Sequence, residues 1–265
     1  MMFNLRTALV VSFFACVLSL TAKPLIVAHR GASHDAPENT LPAFRLAWEQ
    51  GADAIEGDFL LTKDNRIVCI HDKSTERLAG RKLIVKDSTL AQLQELDVGM
   101  KKDEKFKGAK IPTIAQVFAT IPAGKKIFIE IKCGKEIIPP LLAAIRASGL
   151  KDEQVTMICF QAEVVRTFKA KAPRHKVYWL TNFKRNDAGE WTPSLDTVLQ
   201  TLKSTKADGL DCHHGIPAQA AKLIQEEGFE WHVWTVNDLK AAKRLKELGV
   251  QSITTDVPGT LVKSL

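Results

Sequence analysis

The sequence predicts an α/β chain: a (β/α)8 TIM barrel with a hairpin and a small helical insertion over its C-terminal mouth. Three observations predict it. Short β-rich runs alternate with amphipathic stretches in eight successive units. The amphipathic stretches stop at Gly51, Gly149, Pro173, Gly228 and Gly249, as helix ends do. One unit alone carries a detour between its strand and its helix. Strands alternating with helices of about 10–15 residues pair in parallel through right-handed crossovers, and eight such units in about 240 residues close into a barrel.

The units follow one another without a linker or repeat boundary. Leu25–His29 is the first strand and Leu41–Gln50 its helix. Ala54–Phe59 comes next, and after the detour its helix is Ile114–Thr120. Ile127–Ile131 precedes Pro139–Ser148, Val155–Phe160 precedes Ala162–Ala170, and Lys176–Leu180 precedes Ser194–Ser204. Gly209–Cys212 precedes Pro217–Glu227, Trp231–Val236 precedes Leu239–Leu248, and Ser252–Asp256 leads into a short C-terminal helix. In the detour, Asp58 to His71 reads as strand, turn, strand, with Asp64–Asn65 at the tip. Such a hairpin returns His71 to the level of Asp58. Ser74 to Ile111 then forms an excursion over the mouth, with a short helix at Thr89–Leu96 and a lysine-rich loop at Lys101–Lys110. Residues 23–265 are therefore expected to form one domain with an insertion at about 74–111.

Composition narrows the function classes. Apolar content of 45% and charged content of 25% are those of a folded globular chain. The net charge of +7 is spread over helical segments such as Lys240 to Lys246, which reads as a solvated face mildly attractive to a phosphate-bearing substrate. There is no basic arm and no aromatic set for RNA, so nucleic acid is not an expected partner. Arg6 is followed by an uncharged run from Thr7 to Ala22, too short for a stable membrane span and fitting a signal peptide over residues 1–22. Export to the periplasm or the extracellular space is expected, with cleavage after Ser19 chemically acceptable; lipidation at Cys16 is disfavoured by Phe13 at the start of its motif. Cys69, Cys133, Cys159 and Cys212 remain; they form no Cys-x-x-Cys pair and are expected as buried free thiols.

In such a barrel reactive groups gather at the C-terminal ends of several strands. Those ends are His29-Arg30, Glu56 and Asp58, Glu130 and Lys132, Phe160, Asp211, Trp234 and Asp256. Residues two apart on a strand face the same way, so Glu56 and Asp58 both enter the barrel, with Gly57 on the other face. Glu130 and Lys132 repeat the device on the next parallel strand. Two carboxylates about 4 Å apart repel by roughly 4 kcal/mol at an effective dielectric near 20, so Glu56, Asp58 and Glu130 together need a proton or a cation. Oxygen ligands favour one hard divalent cation, Ca²⁺ or Mg²⁺. His29 and His71 supply an acid/base pair, and Arg30 and Lys132 offer positive partners to phosphoryl oxygens.

At this point a resemblance becomes specific. Val27-Ala28-His29-Arg30-Gly31 followed by Pro37-Glu38-Asn39-Thr40 resembles the opening signature of the glycerophosphodiester phosphodiesterase family. The similarity continues through Ile55–Phe59, Leu61–Asp64, Ile70-His71-Asp72, Thr75, Arg77-Leu78, Ile111–Thr113, Ile129–Lys132, Trp234–Asn237 and Thr254–Pro258. The resemblance implies His29 and His71 as the catalytic pair, Glu56, Asp58 and Glu130 as metal ligands, and Arg30 and Lys132 as phosphate-binding residues. It also implies that Trp234 and Phe160 line a glycerol pocket, with Glu38 and Asn39 orienting the site or capping the first helix. The reaction implied releases glycerol 3-phosphate and an alcohol from a small-molecule phosphodiester. Gly57, Asn65 and Cys159 depart from residues frequent in the family, which bears on substrate preference. Two other readings stand beside this one: a phospholipase D or sphingomyelinase D type enzyme that forms a cyclic phosphate, and a non-catalytic head-group binding protein. The Pro-Glu-Asn-Thr segment and Glu130 as third acid favour the hydrolase over the first, and the intact histidine and carboxylate set disfavours the second.

Overall fold

The computed structural model describes residues 23–265. Its strands are β1 (Leu25–Ala28), β2 (Ala54–Leu61), β3 (Ile67–Cys69), β4 (Lys126–Ile131), β5 (Val155–Cys159) and β6 (Lys176–Thr181). They continue with β7 (Lys184–Arg185), β8 (Trp191–Thr192), β9 (Gly209–His213), β10 (Glu230–Trp234) and β11 (Ser252–Thr255). The α-helices are α1 (Leu41–Glu49), α2 (Glu76–Ala79), α3 (Leu90–Gln94), α4 (Ile114–Phe118) and α5 (Ile138–Ser148). After them come α6 (Ala162–Lys171), α7 (Leu195–Thr205), α8 (Ala218–Glu226), α9 (Leu239–Glu247) and α10 (Pro258–Ser264).

Eight strands pair in parallel in the order β1-β11-β10-β9-β6-β5-β4-β2, and pairing of Val27 with Ala54 and Ala28 with Ile55 joins the last to the first. The sheet is a closed barrel. Local chemistry starts and stops its helices as the sequence indicates. The side chain of Thr40 accepts from the Ala43 N–H at the start of α1; Thr89 and Thr113 form capping boxes with Gln92 and Gln116. Gly149 ends α5 in the left-handed conformation that glycine adopts without penalty. Between strands and helices lies the main core, containing Phe44, Phe168, Ile127, Val233 and Leu245; burying each such side chain stabilises the fold by about 1.5–3 kcal/mol. Inside the barrel sit Val27, Phe128, Ile158, Tyr178 and Leu180. Deeper in the barrel, His232 stacks on Tyr178 with ring centroids 3.9 Å apart, and the Tyr178 hydroxyl donates to Glu230 at 2.6 Å.

The expected hairpin is present. β2 and β3 pair antiparallel with Leu61 opposite Ile67, and the Ile70 N–H donates to the Asp58 carbonyl at 2.9 Å, which brings His71 level with Asp58. Asn65 turns the tip at φ 56°, a conformation asparagine tolerates better than most residues. Between β3 and α4 a separate small core of Val68, Ile70, Val85, Leu93 and Val98 packs the excursion onto the hairpin.

Several boundaries differ from the expectation. His29, Phe160 and Asp256 fall just beyond β1, β5 and β11 rather than inside them, because the chain turns there into the loops of the mouth. β10 begins at Glu230 and ends at Trp234 rather than spanning Trp231–Val236, and the helix expected at Thr89–Leu96 is the shorter α3. The two-residue hairpin β7–β8 and the one-turn helix α2 had no counterpart in the sequence reading. Cys69, Cys159 and Cys212 are buried free thiols, whereas Cys133, also free, is only partly buried. The segment expected to be a signal peptide lies outside the described residues. Among the described residues no helix is long and apolar enough to cross a membrane.

Candidate active site

The barrel mouth holds an open cavity lined by His29, Arg30, Glu56, His71, Glu130, Lys132, Phe160, Asp211 and Trp234, among others. Among the residues singled out from the sequence, Asp58, Asp256, Glu38 and Asn39 do not line it; Asp58 is 1% exposed.

Strand register assembles the acids. Glu56 and Asp58 share a face of β2, and Asp58 pairs in register with Glu130 on β4. Neighbouring strands run about 4.8 Å apart, so the three carboxyl groups converge; one oxygen from each lies within 4.8 Å of the others. The remaining oxygens are tied down. The Arg30 backbone N–H donates to Glu56 Oε2 at 2.9 Å, and the Asn39 amide donates to Asp58 Oδ2 at 2.8 Å while its own oxygen accepts from the Asp58 N–H. Asn39 thus holds Asp58 rather than capping α1. Glu56 Oε1 and Asp58 Oδ1 are buried without a hydrogen-bond partner. Unpaired buried carboxylate oxygens are costly. Three oxygen donors with two left free suit a hard divalent cation, so Glu56, Asp58 and Glu130 could hold one.

The charges around the trio are unequal. Burial, then the neighbouring Asp58 and Glu130, raise Glu56 well above the carboxylate range. Burial works the same way on Asp58, but Arg30, Lys132 and His71 outweigh it and hold its carboxyl low. Glu130 is pushed up to about 7 by burial and by Asp58, although Lys132 Nζ donates to it at 2.7 Å. For Glu130 the loss of water and the repulsion win over that short contact. Without a cation the trio therefore keeps a proton, and a cation would replace it.

Both histidines use Nδ1 in the same way. His29 Nδ1 lies 2.7 Å from Asp256 Oδ1, and His71 Nδ1 lies 2.7 Å from Asp72 Oδ1. An ionised carboxylate only accepts, so each Nδ1 carries a hydrogen, which leaves Nε2 as the nitrogen available for proton transfer. Asp256 also accepts from Ser33 and Asn237, and despite its burial these donors with His29 hold its carboxyl far below the usual range. On the other side a chain of ion pairs runs from one residue of the site to another. Arg30 donates to Glu38, Arg77 grips Glu38 through two bonds of 2.8 Å, and Arg77 Nε donates to Asp72 at 2.6 Å. Glu38 therefore bridges two arginines and caps nothing. Asp72 and Arg77 lay within matched motifs without a role; Asp256 stood at a strand end, and only the closure of β1 on β11 shows its partner.

Backbone conformation marks the same region. Arg30 and Asn39 have φ of 56° and 57°, uncommon for residues other than glycine. Gly31, at φ 82°, faces the Ala43 backbone so closely that a Cβ would come within 2.6 Å of it. The His-Arg-Gly turn thus needs its glycine. Phe160 is 44% exposed and meets Trp234 edge to face at 5.9 Å, forming an aromatic wall of the cavity.

Comparison with known proteins agrees with this geometry. A glycerophosphodiester phosphodiesterase of Caldanaerobacter subterraneus is 35% identical over 247 residues, covering 91% of this chain and 97% of that one. One of Bacillus subtilis is 27% identical, covering 88% and 84%. Among solved structures, an Oleispira antarctica phosphodiesterase in complex with the product sn-glycerol-3-phosphate superposes with a TM-score of 0.82 at 25% identity, covering 91% of this chain and 96% of that one. The sequence model of one family matches residues 29–260. The chain belongs to the glycerophosphoryl diester phosphodiesterase family.

Proposed function

We propose that the chain hydrolyses glycerophosphodiesters to glycerol 3-phosphate and an alcohol in the barrel mouth, with His29 and His71 as the acid/base pair. One observation carries this reading: two imidazoles, each with Nδ1 committed to a carboxylate, line one cavity with Glu56 and Glu130 of an acidic trio in which two buried oxygens accept no hydrogen bond. Glu56, Asp58 and Glu130 would hold one divalent cation, Ca²⁺ or Mg²⁺, which when bound supplies Lewis-acid charge against the phosphoryl oxygens. Arg30 and Lys132 line the same cavity and bring positive charge to the phosphate. Family membership and the structure of the Oleispira antarctica enzyme with sn-glycerol-3-phosphate support a small phosphodiester as substrate.

The protein groups then divide the proton work. One Nε2 takes the proton of the attacking oxygen, and the other, charged, donates to the departing alcohol. Asp256 and Asp72 fix both rings and stabilise whichever becomes imidazolium. Phe160 and Trp234 give the apolar wall against which the glycerol carbons rest. Export with removal of residues 1–22 belongs to the same reading and rests on the uncharged run behind Arg6. The test is release of sn-glycerol 3-phosphate from a panel of glycerophosphodiesters with Mg²⁺ or Ca²⁺. No release from any of them would refute the proposal.

A further inference from the structure

We infer that Asp211 is a specificity-determining residue that hydrogen-bonds the free hydroxyls of the substrate's glycerol moiety, an inference that rests on the phosphodiesterase reading above. Asp211 is the middle residue of β9 and lines the same cavity as His29, His71 and Glu130. It is 1% exposed, yet its Oδ1 has no hydrogen-bond partner. It stands outside the acidic trio, so cation binding does not account for it. A buried carboxyl left unpaired by the protein at a pocket wall is a group that a ligand can complete.

The surroundings say which kind of ligand. Ile158 and Leu180 are apolar neighbours on the cavity wall, and Trp234, whose ring forms the aromatic wall, has a buried Nε1 that also lacks a partner. An N–H donor and a carboxyl set in an apolar wall fit a polyol, whose hydroxyls donate and accept while its carbons pack on rings. Burial, then Glu130, raise the Asp211 carboxyl. An acceptor oxygen without a partner among apolar side chains suits a hydroxyl, which can donate to it, better than a phosphodiester oxygen, which cannot.

The test compares sn-glycero-3-phosphocholine with bis(p-nitrophenyl) phosphate, a diester that has no glycerol, in wild type and Asp211→Ala with saturating Mg²⁺. The ratio of the two kcat/KM values should fall about 10- to 100-fold in the variant, since a site built to bond a hydroxyl discriminates strongly through it. Inhibition by sn-glycerol 3-phosphate should weaken to that of ethyl phosphate. The Tm should hold or rise, because removing an unpaired buried carboxyl relieves the folded state; a structural role would lower it. An unchanged ratio, or a Tm loss with equal decline on both diesters, would overturn the inference. Wild-type protein that hydrolyses neither diester would sink the functional reading itself, a result distinguishable from both.

Discussion

His29 and Asp256 are 227 positions apart in sequence, yet Nδ1 of one lies 2.7 Å from Oδ1 of the other. The contact exists because β1 pairs with β11, Ala28 opposite Thr255, which sets the two following residues side by side at the mouth. Asp256→Asn should therefore remove the charge that steadies the His29 imidazolium without opening the barrel. The expected loss in kcat is roughly 10²-fold, the lower end for acid/base groups, with Tm little changed. Turnover within twofold of wild type would show that Asp256 only packs the loop.

Replacing the imidazoles themselves should cost more. His29→Ala and His71→Ala should each lower kcat by about 10²–10⁴-fold. Both side chains are partly exposed, at 20% and 32%, so the fold should tolerate their loss. Steady-state kinetics beside thermal denaturation separates the two effects. A variant that keeps most of its turnover removes that histidine from the mechanism.

Cation binding should appear as stability. A ligand present at about 100 times its Kd stabilises the state that binds it by about 2.7 kcal/mol. Mg²⁺ or Ca²⁺ should raise the Tm of wild type and excess EDTA should reverse the rise, and Glu56→Gln should need a higher cation concentration for the same rise. Equal Tm values with EDTA and with excess of either cation would contradict the assignment of the trio.

The pH dependence has a defined sign. Glu130 is raised in the folded protein, by burial and Asp58, from its ordinary 4.5 to about 7. A group raised in this way contributes stability that is fully present below 4.5 and is lost as pH rises through about 7. In EDTA, Glu130→Gln should therefore gain on wild type in Tm between pH 5 and about 8, and saturating Mg²⁺ should reverse that order at the upper end. A Tm difference that does not change with pH in EDTA would contradict the raised Glu130.

Much of this was legible in the sequence. The eight units, the hairpin and the pairing of Glu56 with Asp58 follow from periodicity and from the alternation of strand faces, which are local properties. Asp58 beside Glu130 needed only the next parallel strand. The ring behind the site was not legible in this way. Arg77 reaches Glu38 across 39 positions, and the β1–β11 seam joins His29 to Asp256; no local pattern encodes either contact. The β7–β8 hairpin escaped because two-residue strands show no alternation to read.

The most direct measurement is phosphorus NMR of sn-glycero-3-phosphocholine turned over in ¹⁸O-water by the purified protein with Mg²⁺ or Ca²⁺. The expected result is sn-glycerol 3-phosphate carrying the isotope shift of one labelled oxygen, with its formation stopped by EDTA. A cyclic phosphate as the final product, or undiminished turnover in the chelator, would contradict cation-assisted hydrolysis between His29 and His71.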